Sequence, residues 1–196
     1  MRTYFYLFLT LSLAVLLTGC YKDPQTIVEK VIVRDTIFQQ VTDTLTLTQF
    51  ADTVTTFILV RHAETTGSGN PSLSLAGQVR AAELARILES VDLQAVYASN
   101  YARTTQTGAP SATAKGLTVQ IYDPLEPDPF ADNIIATYGG KAVLVVGHSN
   151  TIPALLNVLT GGNNFANLAE TEYDNLYVVS VVQKGLSNVV QLKYGD

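Results

Sequence analysis

The chain has 196 residues, 47% of them hydrophobic and 15% charged, with a net charge of −5. That is enough apolar chain to bury one core, and too acidic a balance for a nucleic-acid partner, which would need a basic field. A single cysteine, Cys20, excludes a disulfide framework, and two widely separated histidines cannot make a zinc-type ligand set, so no metal and no cofactor is expected.

Residues 1–20 carry one positive charge at Arg2, an apolar run from Tyr4 to Leu17, and then Leu17-Thr18-Gly19-Cys20. A spanning helix needs about 20 apolar residues, so this shorter run reads as a secretory leader. Its end resembles a bacterial lipoprotein cleavage box, which implies a signal peptide over residues 1–19 and a lipid on Cys20. The expected location is the cell envelope, with the membrane as a partner through that lipid. Tyr21, rather than Asp, follows the cysteine, which by analogy with lipoprotein sorting favours the outer membrane.

Residues 20–56 form a Thr-rich stretch that lacks glycine and repeats Asp35-Thr36-Ile37, Asp43-Thr44-Leu45 and Asp52-Thr53-Val54. Apolar residues at Ile27, Val31, Val33, Ile37, Val41, Leu45 and Leu47 follow strand alternation, although part of the series also fits a helix. Threonine content favours extended structure. The segment is a tether, reaching about 120 Å at roughly 3.3 Å per residue, or a partner-binding or self-associating stalk.

From Phe57 to the end, strand and helix patterns alternate. Strands are expected at Phe57–Val60, Ala95–Ala98, Leu117–Tyr122 and Ala142–Val146. Helices are expected at Leu75–Glu89, Tyr101–Ala114, Phe130–Tyr138 and Thr151–Leu159, with Pro153 tolerated in a first turn. Pro124, Pro127 and Pro129 predict an irregular loop over Asp123–Pro129. Leu176–Val182 and Asn188–Leu192 predict a closing β-hairpin across Lys184-Gly185. The expected fold of residues 57–196 is α/β, a three-layer sandwich with a mainly parallel central sheet and helices on both faces.

Both histidines stand where an apolar strand ends, in Val60-Arg61-His62 and Val146-Gly147-His148. Ligands of open α/β sheets bind beyond the carboxyl ends of the parallel strands, so the two predict one shared site, and Arg61 suits it to an anion. The stretch Ile58-Leu59-Val60-Arg61-His62-Ala63-Glu64-Thr65 resembles the signature of the histidine phosphatase superfamily, whose usual glycine after the histidine is Ala63 here. Asn70–Gly77, Val96–Thr107 and Val145–Asn150 agree with that family in order. The resemblance covers about residues 57 to 193 and implies a phosphoglycerate-mutase-like fold.

The resemblance further implies that His62 attacks phosphorus as a neutral imidazole and forms a phosphohistidine that water hydrolyses. A backbone carbonyl accepting from its other N–H would fix the tautomer. Arg61 and Arg103 would bind the phosphoryl group through the planar fork of the guanidinium, and His148 would stabilise its transferring charge. Ser149 is expected beside them in the substrate pocket, with Glu64 orienting Arg61 or tuning the charge. The general acid falls in the proline-rich loop, where Glu126 is the best match and Asp128 the next. Without an acid, the chain would resemble the short phosphohistidine-protein phosphatases of the superfamily.

Only 44 residues separate Arg103 from His148, too few for a large cap, so an open site is expected. The substrate is a phosphorylated small molecule or a phosphoprotein, and nothing in the chain names it. Gly147-His148-Ser149-Asn150-Thr151 fails as an esterase elbow, because Thr151 replaces the second glycine and no histidine follows Ser149. The remaining alternative is a surface lipoprotein that keeps the fold as a non-catalytic module binding a phosphate ligand or a partner.

Overall fold

The computed structural model describes residues 27–33, 36–42 and 54–195. Arg2, the apolar run, Cys20 and the rest of the Thr-rich stretch lie outside the described residues. No helix among the described residues is long and apolar enough to cross a membrane. The chain divides into two units, residues 1–48 and 49–196.

In the first unit, two runs rich in β-branched residues form β1 (Ile27–Val33) and β2 (Thr36–Thr42). They pair antiparallel, with Ile27 opposite Thr42 and Val33 opposite Thr36. Branching at Cβ restricts χ1 and suits a pleated strand, which is why these residues extend rather than coil.

The second unit alternates β3 (Thr55–Arg61), α1 (Leu75–Ile87), β4 (Leu93–Ala98), α2 (Ala102–Ala114), β5 (Val119–Ile121) and α3 (Pro127–Thr137). It continues with β6 (Ala142–Gly147), α4 (Thr151–Thr160), β7 (Asn175–Gln183) and β8 (Leu186–Lys193). The six strands stand in the order β5-β4-β6-β3-β7-β8. The first four are parallel, and β7 and β8 join antiparallel as the closing hairpin. The fold is therefore α/β with a mostly parallel sheet.

Successive residues of β3 and β6 serve opposite faces, as a strand period of two requires. Phe57, Leu59, Val143 and Val145 pack with Ile134 of α3 and Leu155, Leu156 and Leu159 of α4. Ile58, Val60, Leu144 and Val146 pack with Leu84 of α1 and Ala112 of α2 on the other side. Both central strands are buried on two faces, which explains why they read as unbroken apolar runs.

The proline loop is shorter than the sequence suggests. Helix α3 begins at Pro127, so Pro127 and Pro129 belong to its first turn and Glu126 is its N-cap. A first-turn proline gives up an N–H that has no intrahelical partner anyway, and its fixed φ is already helical. Only Asp123–Glu126 remain irregular, held by Asp123 Oδ1 accepting from the Leu125 N–H at 2.9 Å.

Candidate active site

Three neighbouring parallel strands deliver the site. In the β3–β6 register Arg61 lies opposite Gly147, so the next residue of each strand is a histidine. The His62 N–H donates to Gly147 O at 2.9 Å, extending the ladder by one rung. The His62 and His148 rings meet edge to face with centroids 5.4 Å apart. Strand β4, on the far side of β6, ends one residue before Ser99. Gly147 must be glycine, because a Cβ there would lie 2.8 Å from Thr151 Oγ1 and 2.9 Å from Ile152 Cδ1. That close approach seats the start of α4 against the end of β6, and Thr151 Oγ1 accepts from the His148 N–H at 2.9 Å.

His62 is nearly buried, with 7% of its surface exposed. Its Nδ1 lies 2.8 Å from the carbonyl oxygen of Ala63. A carbonyl only accepts, so Nδ1 carries the proton and Nε2 keeps its lone pair. Burial pushes the His62 pKa down to about 4, with the Arg61 and Arg103 charges adding to the effect and the Ala63 carbonyl opposing it. His148 is likewise pushed down to about 4, first by burial and then by Arg103, His62 and Arg61. Both rings are neutral at pH 7.

A chain of hydroxyls orients His148. Its Nδ1 lies 3.4 Å from Arg103 Nη2, which can only donate, so Nε2 holds the proton. That proton points to Ser99 Oγ at 2.7 Å; Ser99 donates to Thr104 Oγ1 at 3.1 Å, and Thr104 to the Ser99 carbonyl at 2.7 Å. Arg103 occupies the first turn of α2 and lies 4.4 Å over the Tyr101 ring. Asn70 Oδ1 accepts from the Ala102 N–H at 2.9 Å and so caps α2 from outside.

The Arg61 guanidinium is held largely by the protein itself. Its Nη1 donates to the carbonyls of Ala169 and Glu172 at 2.7 and 3.2 Å, and its Nη2 to Glu170 Oε2 at 2.9 Å. The Tyr173 ring covers the guanidinium at 4.3 Å. Residues 169–173 thus form a strap that engages three of the five Arg61 N–H groups, and Nε is buried without a partner.

Arg61, His62, Arg103, His148 and Ser149 line one open cavity of about 630 Å³. The carboxylates on its wall are Asp123 and Glu170. Glu126 does not line it: as the exposed N-cap of α3 it stands beyond the turn made by Asp123. Asp128 forms an ion pair with Lys184 at 2.6 Å, also away from the cavity. Glu64 is turned to Arg80, whose Nε and Nη2 both donate to it, at 3.0 and 2.8 Å to Oε1. It orients Arg80 rather than Arg61. Ser99, Tyr101, Asp123, Glu170 and Tyr173 were not singled out from the sequence. Ser99 and Tyr101 stood inside a recognised motif, whereas the strap residues lie in an acidic stretch with no periodicity or spacing to mark them.

Residues 57–126 match the model of the histidine phosphatase superfamily, branch 1. No curated protein matches the chain. Among solved structures, the protein histidine phosphatase SixA complexed with tungstate is similar with a TM-score of 0.61 and 17% identity, over 70% of this chain and 96% of that one. The mycobacterial glucosyl-3-phosphoglycerate phosphatase is similar with a TM-score of 0.57 and 13% identity, over 72% and 99%. A phosphoglycerate mutase from Bacillus anthracis gives 0.58 and 15%, over 72% and 94%. The second unit thus has the phosphoglycerate-mutase-like fold, and part of it carries the superfamily's sequence pattern.

Proposed function

We infer that the chain is a phosphatase that cleaves phosphomonoesters or phosphohistidine through a covalent phosphohistidine on His62. The observation that carries this reading is the hydrogen bond from His62 Nδ1 to the Ala63 carbonyl. It leaves Nε2 unprotonated in a cavity where the buried Arg61 Nε has no partner. A nucleophilic lone pair next to an unused cationic donor suits attack on an electron-poor phosphorus that carries anionic oxygens.

In the first step the Nε2 lone pair forms a bond to phosphorus while the bond from phosphorus to the leaving oxygen breaks. The leaving oxygen takes a proton from water or from Asp123 on the cavity wall, Glu170 being engaged with Arg61. Arg61 Nε and Arg103 stabilise the charge that spreads over the phosphoryl oxygens, with Arg103 positioned by His148, in a site already ordered by Ser99, Thr104 and the strap. In the second step water attacks phosphorus, the P–N bond breaks, and the lone pair returns to Nε2 with release of inorganic phosphate.

Quenching turnover in alkali tests this. A phosphoryl label that is stable in alkali, labile in acid and absent from His62→Ala is expected. Turnover by His62→Ala, or label on Ser149, overturns the reading, and tight phosphate binding without turnover leaves a non-catalytic binding module. The Leu17-Thr18-Gly19-Cys20 box supports anchoring of this unit in the cell envelope through lipid on Cys20. Cys20→Ser is expected to leave the lipid-modified membrane fraction, and its retention there overturns the anchoring.

A further inference from the structure

The charges around the cavity divide by depth. Its cations are Arg61 and Arg103, and its carboxylates are Asp123 and Glu170, so the charged side chains on its wall cancel before anything binds. A bound phosphoryl dianion then leaves the cavity negative by two, and among the described residues no lysine or further arginine lines it. A substrate bearing a second anion, such as a carboxylate or another phosphate, finds no positive partner here.

The geometry at Arg61 sharpens the point. Nε and Nη2 lie along one edge of a guanidinium and point the same way, which is how the group grips two oxygens side by side. Glu170 already holds Nη2 at 2.9 Å, and Nε is the buried donor without a partner. A phosphoryl oxygen taking Nε therefore shares one guanidinium with the Glu170 carboxylate. Two anions on one guanidinium repel, and the pair is relieved by a positive charge placed against both. Glu170 can serve it: 86% of its side chain is exposed, and only Oε2 is engaged. Asp123, on the loop after β5, presents the second carboxylate to the same cavity. Tyr101 and Tyr173 add ring faces that attract a cation, although Arg103 and Arg61 already cover one face of each.

We propose that the substrate is a phosphomonoester whose alcohol portion carries a positive charge, such as an ammonium group, seated between Glu170 and Asp123. The proposal rests on the phosphatase reading and names its substrate class. Chemistry at phosphorus is unchanged; the cation stays on the leaving alcohol and departs with it.

The test uses the full chain and three small phosphomonoesters that differ in charge: phosphoethanolamine, glycerol 1-phosphate and 3-phosphoglycerate. p-Nitrophenyl phosphate reports whether the protein is a phosphatase at all. Expected kcat/KM falls from the cationic to the neutral to the anionic ester, by about 5- to 20-fold at each step in low salt, and less in high salt. Intrinsic reactivities differ among the esters, so the decisive quantity is the cationic-to-neutral ratio compared between proteins. That ratio should drop about tenfold in Glu170→Gln, which keeps an oxygen for Arg61, and similarly in Asp123→Asn. In Glu170→Gln the anionic ester should gain. A strap residue that only supports the fold would lower all three esters together. Turnover of p-nitrophenyl phosphate with ratios that ignore both substitutions overturns the cationic class and leaves the phosphatase reading standing. Absence of all turnover, the aryl ester included, overturns both.

Discussion

The floor of the cavity and the strap beside it hold charged groups by opposite means. The floor is largely buried and tied to the strand ends: the His62 ring to the Ala63 carbonyl, the His148 ring to the Ser99 hydroxyl, and the ladder rung from the His62 N–H to Gly147 O. Its side chains cannot move without breaking the ends of three strands. The strap is an irregular segment that grips Arg61 through carbonyls and an exposed carboxylate, and it is knitted internally by Ala169 N–H donating to Glu172 Oε2 at 2.8 Å. Arg61 is buried while Glu170 is open to solvent, so a ligand meets this pair at its Glu170 end. The floor is therefore suited to chemistry that must be repeated without variation, and the strap to a choice among substrates.

His148→Ala should show the largest separation between the two regions. The nucleophile survives, but the ring that positions Arg103 against the transferring phosphoryl group is lost, so turnover should fall by roughly 10²- to 10³-fold while slow labelling of His62 persists. The loss should be equal for cationic, neutral and anionic esters. A loss that depends on the charge of the alcohol portion would place specificity in the floor and erase the contrast.

Acid should divide the regions more gently. The floor histidines have pKa values of about 4 in the folded protein against an ordinary 6.5, so between these values the unfolded chain binds more protons. Stability rises with pH wherever that holds. The histidine contribution is complete above pH 6.5 and is lost as pH falls toward 4. Thermal midpoints should decline across that window, and the decline should flatten in a His62→Gln, His148→Gln double variant. An equal decline in both proteins would mean that carboxylates carry the acid sensitivity, Glu64 first, because its bond to Arg80 holds its pKa low.

The sequence shows the floor more clearly than the strap for a physical reason. Central parallel strands bury both faces, so Phe57–Val60 and Ala142–Val146 stand out as apolar runs, and a polar residue at the end of such a run is conspicuous. Helix α1 is equally legible, and its motif glycine has a steric cause: a Cβ on Gly77 would lie 2.1 Å from the Glu64 carbonyl oxygen. The strap has no such pattern. Ala169, Glu172 and Glu170 reach Arg61 across more than a hundred residues, two of them through carbonyls that any residue supplies. Proline is an ambiguous signal over residues 123–129, because the same residue that stops a helix interior also opens a first turn, as Pro127 does for α3.

The smallest expected effect concerns Glu126, the residue that the family resemblance favours as the acid. Were it to protonate the leaving oxygen, Glu126→Gln would slow esters of poor leaving groups by roughly 10²- to 10⁴-fold. General acid catalysis needs hydrogen-bond reach, however, and Glu126 is exposed at the start of α3, outside the residues that line the cavity. Its side chain also makes no capping hydrogen bond, so little stability depends on it. We expect Glu126→Gln to change kcat/KM by less than about 3-fold on a poor leaving-group ester, below what general acid catalysis supplies. Asp123→Asn, three residues earlier and on the cavity wall, should lose more on that ester than on an aryl phosphate if it donates the proton. A large, leaving-group-dependent loss in Glu126→Gln would show that the Asp123–Glu126 turn refolds over the bound phosphoryl group, and the acid would then belong to a third region that closes only with substrate present.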